Sequence, residues 1–105
     1  MHRTSFNKMA CPIARSLERV GEWWTTLILR DAIASTTRFD ALQKSLGIAP
    51  NILTRRLAAL IEAVMLERHR HSARPPRDEY RLTERGRDFQ TVLMTLLVFG
   101  NQHFA

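Results

Sequence analysis

The sequence predicts a mainly α-helical domain with one small β-hairpin, and three observations carry that reading. Apolar residues recur at helical spacing in several stretches, most clearly Leu53, Leu57, Leu60, Ile61 and Val64. Gly47, followed closely by Pro50, separates two of these stretches by a turn too short to hold another element. After Leu66 the helical period gives way to two extended runs around Pro75-Pro76. Helix, tight turn, helix and hairpin in that order is the arrangement of a winged helix-turn-helix, whose second helix enters a DNA major groove.

Each element has a local cause. Residues 1–10 show no periodicity and are expected to form a flexible arm ahead of a single domain over residues 11–105. Pro12 suits a first helical position, and Ile13, Leu17 and Val20 share one face until Gly21 stops the helix. Trp23, Trp24, Leu27, Ile28 and Ile33 make a second helix, expected to be mostly buried, that breaks at Ser35-Thr36-Thr37. A short extended piece at Arg38-Phe39 leads into a third helix carrying Phe39, Leu42 and Leu46 and closed by Gly47. Pro50 opens the fourth, expected over residues 50–64 with Leu53, Leu57, Leu60 and Val64 on its buried face. A wing follows over residues 66–82: Leu66–His71 as one strand, Ser72–Arg77 as its loop, Asp78–Leu82 as the return. Thr83 caps a last helix over residues 84–103.

Length and charge narrow the function. A chain of 105 residues is read as one domain with one modest core, for which association with a partner is a common supplement. Sixteen Lys and Arg against ten Asp and Glu give a net charge of +6, which points to a polyanionic partner. Only Lys8 and Lys44 are lysines; the other fourteen are Arg, whose planar fork matches phosphate and guanine edges. A GC-rich genome would give the same bias, so position has to decide. One cysteine and no signal-like apolar leader lead us to expect a reducing cytoplasm. The most apolar run, Val92 to Phe99, is far below the roughly 20 residues of a membrane span.

On the fourth helix, burying the leucine stripe turns Asn51, Arg55 and Ala58 outward, with Thr54 and Arg56 on the flanks. Groove-reading helices use their N-terminal turns, so Pro50, Asn51, Thr54, Arg55 and Arg56 are candidate DNA contacts: Arg suits guanine, Asn adenine. Arg68, Arg70, Arg74 and Arg77 crowd the hairpin and would reach phosphates or an adjacent minor groove, with Arg38 nearby in the chain order. A solvated helix face and a charged edge strand that blocks aggregation are the alternatives.

Val92, Leu93, Met94, Leu96, Leu97, Val98 and Phe99 cover more than one face of the last helix, so a second subunit is expected to bury what the chain itself does not. Ile13, Leu17, Leu93, Leu96, Leu97, Phe99 and Gly100 are the candidate dimer contacts. A two-fold dimer would set two recognition helices about 34 Å apart on a pseudo-palindromic promoter operator.

Several fragments together resemble one family: Cys11-Pro12, Trp24-Thr25 with Ile28-Leu29-Arg30, Arg38-Phe39 with Leu42, Leu53-Thr54 with Arg56-Leu57, Pro75-Pro76-Arg77, and Glu79-Tyr80-Arg81-Leu82-Thr83 with Gly86. In this order and spacing, over residues 11–103, the chain resembles the HxlR family of bacterial transcriptional regulators. The resemblance implies a homodimeric winged helix related to the MarR fold, paired through its terminal helices and mostly repressing a neighbouring gene. The chain departs from the family's usual Gly-Lys-Trp at Glu22-Trp23-Trp24, from its Ser at Ala49 and from a Trp at Phe99. Ala49 removes a side-chain cap, worth about 1 kcal/mol elsewhere. Both tryptophans are expected in the core, with Trp23 alternatively lining a pocket or widening the dimer surface.

Cys11 falls at the expected N-cap of the first helix, where the helix dipole and nearby Arg15 favour a thiolate. In some members of the resembling family a cysteine here reacts with quinones, aldehydes or oxidants; a small buried cysteine at the dimer interface is the alternative. A small-molecule effector at the interface is a further possibility of the same fold. Glu67, His69 and His71 share one strand face but lack the Cys partner and fourth ligand of a zinc site, so no metal and no cofactor is expected. The sequence carries no nucleophile with an orienting His and acid and no glycine-rich phosphate loop, so no enzyme is predicted.

Overall fold

The computed structural model describes residues 5, 7–8, 10–20, 22–73 and 76–105, with the side chains of residues 71–73 and 76 outside the described set. Helices α1 (Pro12–Val20), α2 (Trp23–Ile33), α3 (Phe39–Leu46) and α4 (Pro50–Glu62) precede strands β1 (Leu66–Ala73) and β2 (Pro76–Leu82), and α5 (Glu84–Asp88) and α6 (Gln90–His103) close the chain. The element order is that of a winged helix-turn-helix, mostly helical with a two-stranded antiparallel hairpin.

The core is the place where three helices and the base of the hairpin meet. Ile28 and Leu29 of α2, Leu42 of α3, Leu53, Leu57 and Leu60 of α4 and Leu66 of β1 are almost wholly buried. Burying each such side chain stabilises the fold by about 1.5–3 kcal/mol, and together they hold α4 by one stripe. Trp24 packs against this core from the side. Trp23 does not: it is 82% exposed, because the adjacent position on α2 points away from the stripe of Ile28 and Leu29.

Helix ends explain the other departures from expectation. α2 closes in a paired-bond cap, with Ser35 N–H donating to the Ala32 carbonyl (3.0 Å), Thr36 N–H to that of Asp31 (2.8 Å), and Ser35 at φ 70°. α4 ends the same way: Val64 N–H donates to Ile61 (3.0 Å), Met65 N–H to Leu60 (2.9 Å), and Val64 has φ 60°. The helix therefore stops at Glu62 rather than 64, and Val64 leaves the buried stripe and is 52% exposed. Met65 takes the buried place. Gly47, at φ 64°, makes the left-handed end of α3 that the sequence predicts, and Ala49 caps α4 with no side-chain bond.

The hairpin strands reach further than expected, into the stretch read as loop, in the register Leu66↔Leu82, Arg68↔Tyr80 and Arg70↔Asp78, with an irregularity between Arg70 and Ser72. Arg74 and Pro75 lie outside the described residues. The extended piece at Arg38 is present: it bridges to Glu79, and Tyr80 N–H donates to the Thr37 carbonyl at 2.8 Å, which ties β2 to the start of α3. The expected single last helix is two, because Phe89 N–H closes a tighter turn onto the Gly86 carbonyl (3.2 Å) where the Phe89 ring is buried. Thr83 caps α5 by accepting from Gly86 N–H at 3.0 Å.

Candidate nucleic-acid interface

α3, the Gly47 turn and α4 place one helix face outward, and the residues on it are those the leucine stripe requires. Asn51, Thr54 and Arg55 are exposed, opposite the buried Leu53, Leu57 and Leu60. Pro50, exposed, opens the helix. The Thr54 hydroxyl donates to the Pro50 carbonyl at 2.9 Å, which leaves its lone pairs outward as acceptors. Arg56 behaves differently from its neighbours. Its Nε lies 3.4 Å from Glu22 Oε2 at the head of α2, is buried, and makes no hydrogen bond of good geometry. The same Glu22 oxygen accepts from Thr25 N–H at 3.0 Å and from the Thr25 hydroxyl at 3.3 Å, so one carboxylate caps α2 and faces α4 at once.

The hairpin sorts its charges by face, as period-two alternation demands. Arg68 and Arg70 share the face of Leu66, Tyr80 and Leu82 beyond the point where the core ends, and both meet Asp78: Arg70 Nε at 3.1 Å from one carboxylate oxygen, Arg68 Nε at 3.9 Å from the other. The Arg68 guanidinium also sits 5.6 Å from the centre of the Tyr80 ring, within cation–π range. On the other face His69 faces Glu67 at 3.7 Å and Arg81 Nε donates to Glu79 at 2.9 Å. Arg77 is exposed, and with Arg38, Phe39, Asp40, Asp78 and Tyr80 it lines a cleft of about 310 Å³ between the hairpin and the start of α3. Thus Arg68 and Arg70 meet at Asp78 on one face of the wing, Arg38 and Arg77 border the adjoining cleft, and Arg55 stands on α4. Asp78 and Glu22 are the members that sequence reasoning passed over. Asp78 was findable from the alternation of Arg68 and Arg70 once the hairpin register was fixed; Glu22 is an uncommon capping residue and carries no comparable signal.

A second surface lies along the terminal helices. Neither α1 nor α6 has a buried residue, and Ile13, Leu17, Leu96, Leu97 and Phe99 are all exposed. Leu93 is half-buried against the chain's own core, and Gly100 is half-buried with open space where a side chain would stand. An apolar groove of about 860 Å³ runs between α1 and the α5–α6 corner, lined by Ile13, Leu17, Val20, Phe89, Val92 and Leu96 among others. Cys11 is exposed, and its carbonyl accepts from Arg15 N–H at 3.0 Å, which makes it the residue that heads α1. Ser5 and Asn7 of the N-terminal stretch return to α1, by Ser5 Oγ to Glu18 at 3.3 Å and Arg19 to Asn7 Oδ1 at 2.6 Å. Among the described residues no three His, Cys, Asp or Glu side chains gather as a metal site, and no helix is long and apolar enough to cross a membrane.

Known proteins share this geometry. An uncharacterized HTH-type transcriptional regulator of Mycobacterium tuberculosis is 43% identical over 91 residues, 87% of this chain and 58% of that protein. The chain thus spans somewhat more than half the length of its mycobacterial relatives. The crystal structure of PA1607 has a TM-score of 0.90 at 40% identity, covering 97% of this chain and 71% of that one. The redox regulator HypR in its oxidised form has a TM-score of 0.82 at 25% identity, covering 90% and 99%. The model of the HxlR-like helix-turn-helix matches residues 19–105, from the last turn of α1 through the wing to the end of α6, and the chain belongs to that family.

Proposed function

We propose that this chain is a homodimeric, sequence-specific DNA-binding transcriptional regulator and not an enzyme. The observation that carries the reading is the exposed face of Asn51, Thr54 and Arg55 on α4, followed in the chain by a hairpin that carries exposed arginines. Asn51 and Arg55 supply the paired donors and acceptors that adenine and guanine edges require, while Arg38, Arg68, Arg70, Arg74 and Arg77 bind phosphates and fix register. Arg56 contributes from the flank while held by Glu22. The apolar faces of α1 and α6 pair across a two-fold through Ile13, Leu17, Leu93, Leu96, Leu97, Phe99 and Gly100, and set two α4 helices on a pseudo-palindromic promoter site. Repression of a neighbouring gene is the direction the family resemblance implies.

The signal enters through Cys11. The thiol is exposed at the head of α1, beside the surface assigned to the dimer, and a structural neighbour is named a redox regulator. Oxidation there would alter the pairing of the helices that space the two α4 elements. The groove between α1 and α6 favours a second reading, a small apolar effector bound at the same interface.

The test is fluorescence anisotropy of the reduced protein on its own upstream DNA, with a scrambled duplex as competitor, repeated after diamide and with Cys11→Ser. Selective binding that weakens steeply with salt is the expected result. Affinity indifferent to salt would overturn the DNA reading in favour of a winged-helix protein-interaction module, and an unchanged diamide response in Cys11→Ser would end the thiol switch.

A further inference from the structure

The carboxylate of Asp78 occupies the place where the wing would hold an anion. It stands directly across the hairpin from Arg70, and Arg68 is its diagonal neighbour on the same face. Each of its two oxygens faces one guanidinium, at 3.1 Å and 3.9 Å. Arg38 and Arg77 border the cleft that Asp78 and Asp40 also line. The arginine side chains are 56% and 60% exposed and Asp78 only 27%, so the carboxylate lies beneath the guanidinium edges that face solvent. A carboxylate that pairs closely with one guanidinium and lies within ion-pair range of a second copies the charge and the acceptor pair of a backbone phosphate.

We propose that Asp78 is an internal stand-in for a DNA phosphate, which engages Arg68 and Arg70 in the free protein and so weakens the wing's sequence-independent grip on DNA. The inference rests on the DNA-binding reading above. A phosphate that approaches the wing must either share these arginines with Asp78 or displace it, and in both cases it meets a negative charge a few ångströms from its own. The effect acts on the part of affinity that carries no sequence information, because phosphates are the same at every site. The wing would then let the protein leave random sites quickly while α4 supplies the interactions that retain it on the right one.

The experiment measures anisotropy on a short random-sequence duplex across a series of KCl concentrations, for the wild type, Asp78→Asn and Glu67→Gln. Glu67 removes the same unit of charge from the opposite face of the same hairpin. Each additional phosphate that the protein neutralises raises affinity about eightfold at 0.1 M salt and steepens the log–log slope by about 0.9. Asp78→Asn should therefore tighten random-DNA binding about eightfold or more, while Glu67→Gln changes it by less than about twofold. In a background of Arg68→Gln with Arg70→Gln this tightening should vanish. Equal effects of Asp78→Asn and Glu67→Gln, or weaker binding by Asp78→Asn, would overturn the proposal. Asp78→Ser is carried alongside, with circular dichroism on every variant, so that a misfolded Asn variant does not decide the matter. A wild type that binds no duplex defeats the DNA-binding reading itself; a wild type that binds, with no tightening on removal of Asp78, defeats this inference alone.

Discussion

Removing Glu22 should loosen α2 and α4 together, by an amount the structure lets one assemble. In Glu22→Ala the N-cap acceptor of Thr25 N–H is lost, which costs about 1 kcal/mol. The hydroxyl of Thr25, a buried residue, loses the same acceptor, for about another 1 kcal/mol. The ion pair with Arg56 joins side chains 38% and 28% exposed, so solvent screening limits its share to roughly 0.5 kcal/mol. The total of about 2.5 kcal/mol corresponds to a fall in Tm of roughly 10 °C for a domain of this size. Thermal and urea unfolding, followed by circular dichroism at one fixed protein concentration, measures it. Glu22→Gln separates the contributions, since its amide oxygen still caps the helix and only the charge is lost; it should cost roughly 0.5 kcal/mol. A double-mutant cycle with Arg56→Gln should return a coupling of about that size. If Glu22→Gln is as damaging as Glu22→Ala, charge and not capping holds the corner, and the reasoning fails.

Three further outcomes follow from single positions. Val64→Gly should stabilise by about 1 kcal/mol, because a β-branched residue at φ 60° bears a left-handed strain that Gly does not, and the side chain is half exposed; a lower urea midpoint would contradict it. Gly86→Ala should destabilise by about 3 kcal/mol or more, since the new Cβ would stand 2.1 Å from the Met65 carbonyl oxygen and 2.9 Å from Leu82 Cδ2. Unfolding within about 1 kcal/mol of wild type would show that the corner can open. Leu97→Glu, on the exposed face of α6, should halve the mass seen by light scattering if that face joins two chains, and an unchanged mass would place the interface elsewhere.

How legible the fold was depends on whether a residue's role is set along the chain or across it. The stripe of Leu53, Leu57 and Leu60, the Gly47 turn and the Thr83 cap are local patterns, and each stands where the sequence predicts. Val64 obeys the same period but falls beyond a cap that the tertiary fold closes at Met65, so periodicity alone assigns it to the wrong side. Phe89 likewise continues a helical pattern through a turn made by the core's demand for its ring. At the candidate site, exposure of Asn51 and Arg55 could be read from the stripe, since one face buried leaves the other out. The partner of Arg56 could not, because Glu22 lies across a helix pair, and Asp78, the partner of Arg68 and Arg70, could be found only once the hairpin register was fixed. Ion pairs between distant segments leave no period in a sequence.

The corner after α4 ties the outward helix and the wing to the start of α5. The Thr83 hydroxyl donates to the Val64 carbonyl at 2.5 Å, Thr83 N–H donates to that of Met65 at 3.1 Å, and Arg85 donates to that of Ala63 at 2.9 Å. Three carbonyls in the turn just after α4 are therefore held by the segment that begins α5, and Gly86 fits against the same backbone with no room for a side chain. β1 starts at the next residue, so the wing is anchored to that point too. A turn bonded in this way to a neighbouring element resists independent rotation of the helix before it, each bond contributing about 1 kcal/mol. The start of α5 is thus tied to the end of α4 within one chain, and in the proposed dimer the distance between two α4 helices would be set at the surface where α6 meets its partner. In that proposed dimer, a signal that repacks α1 against α6 would change the spacing of the two helices without having to deform either one.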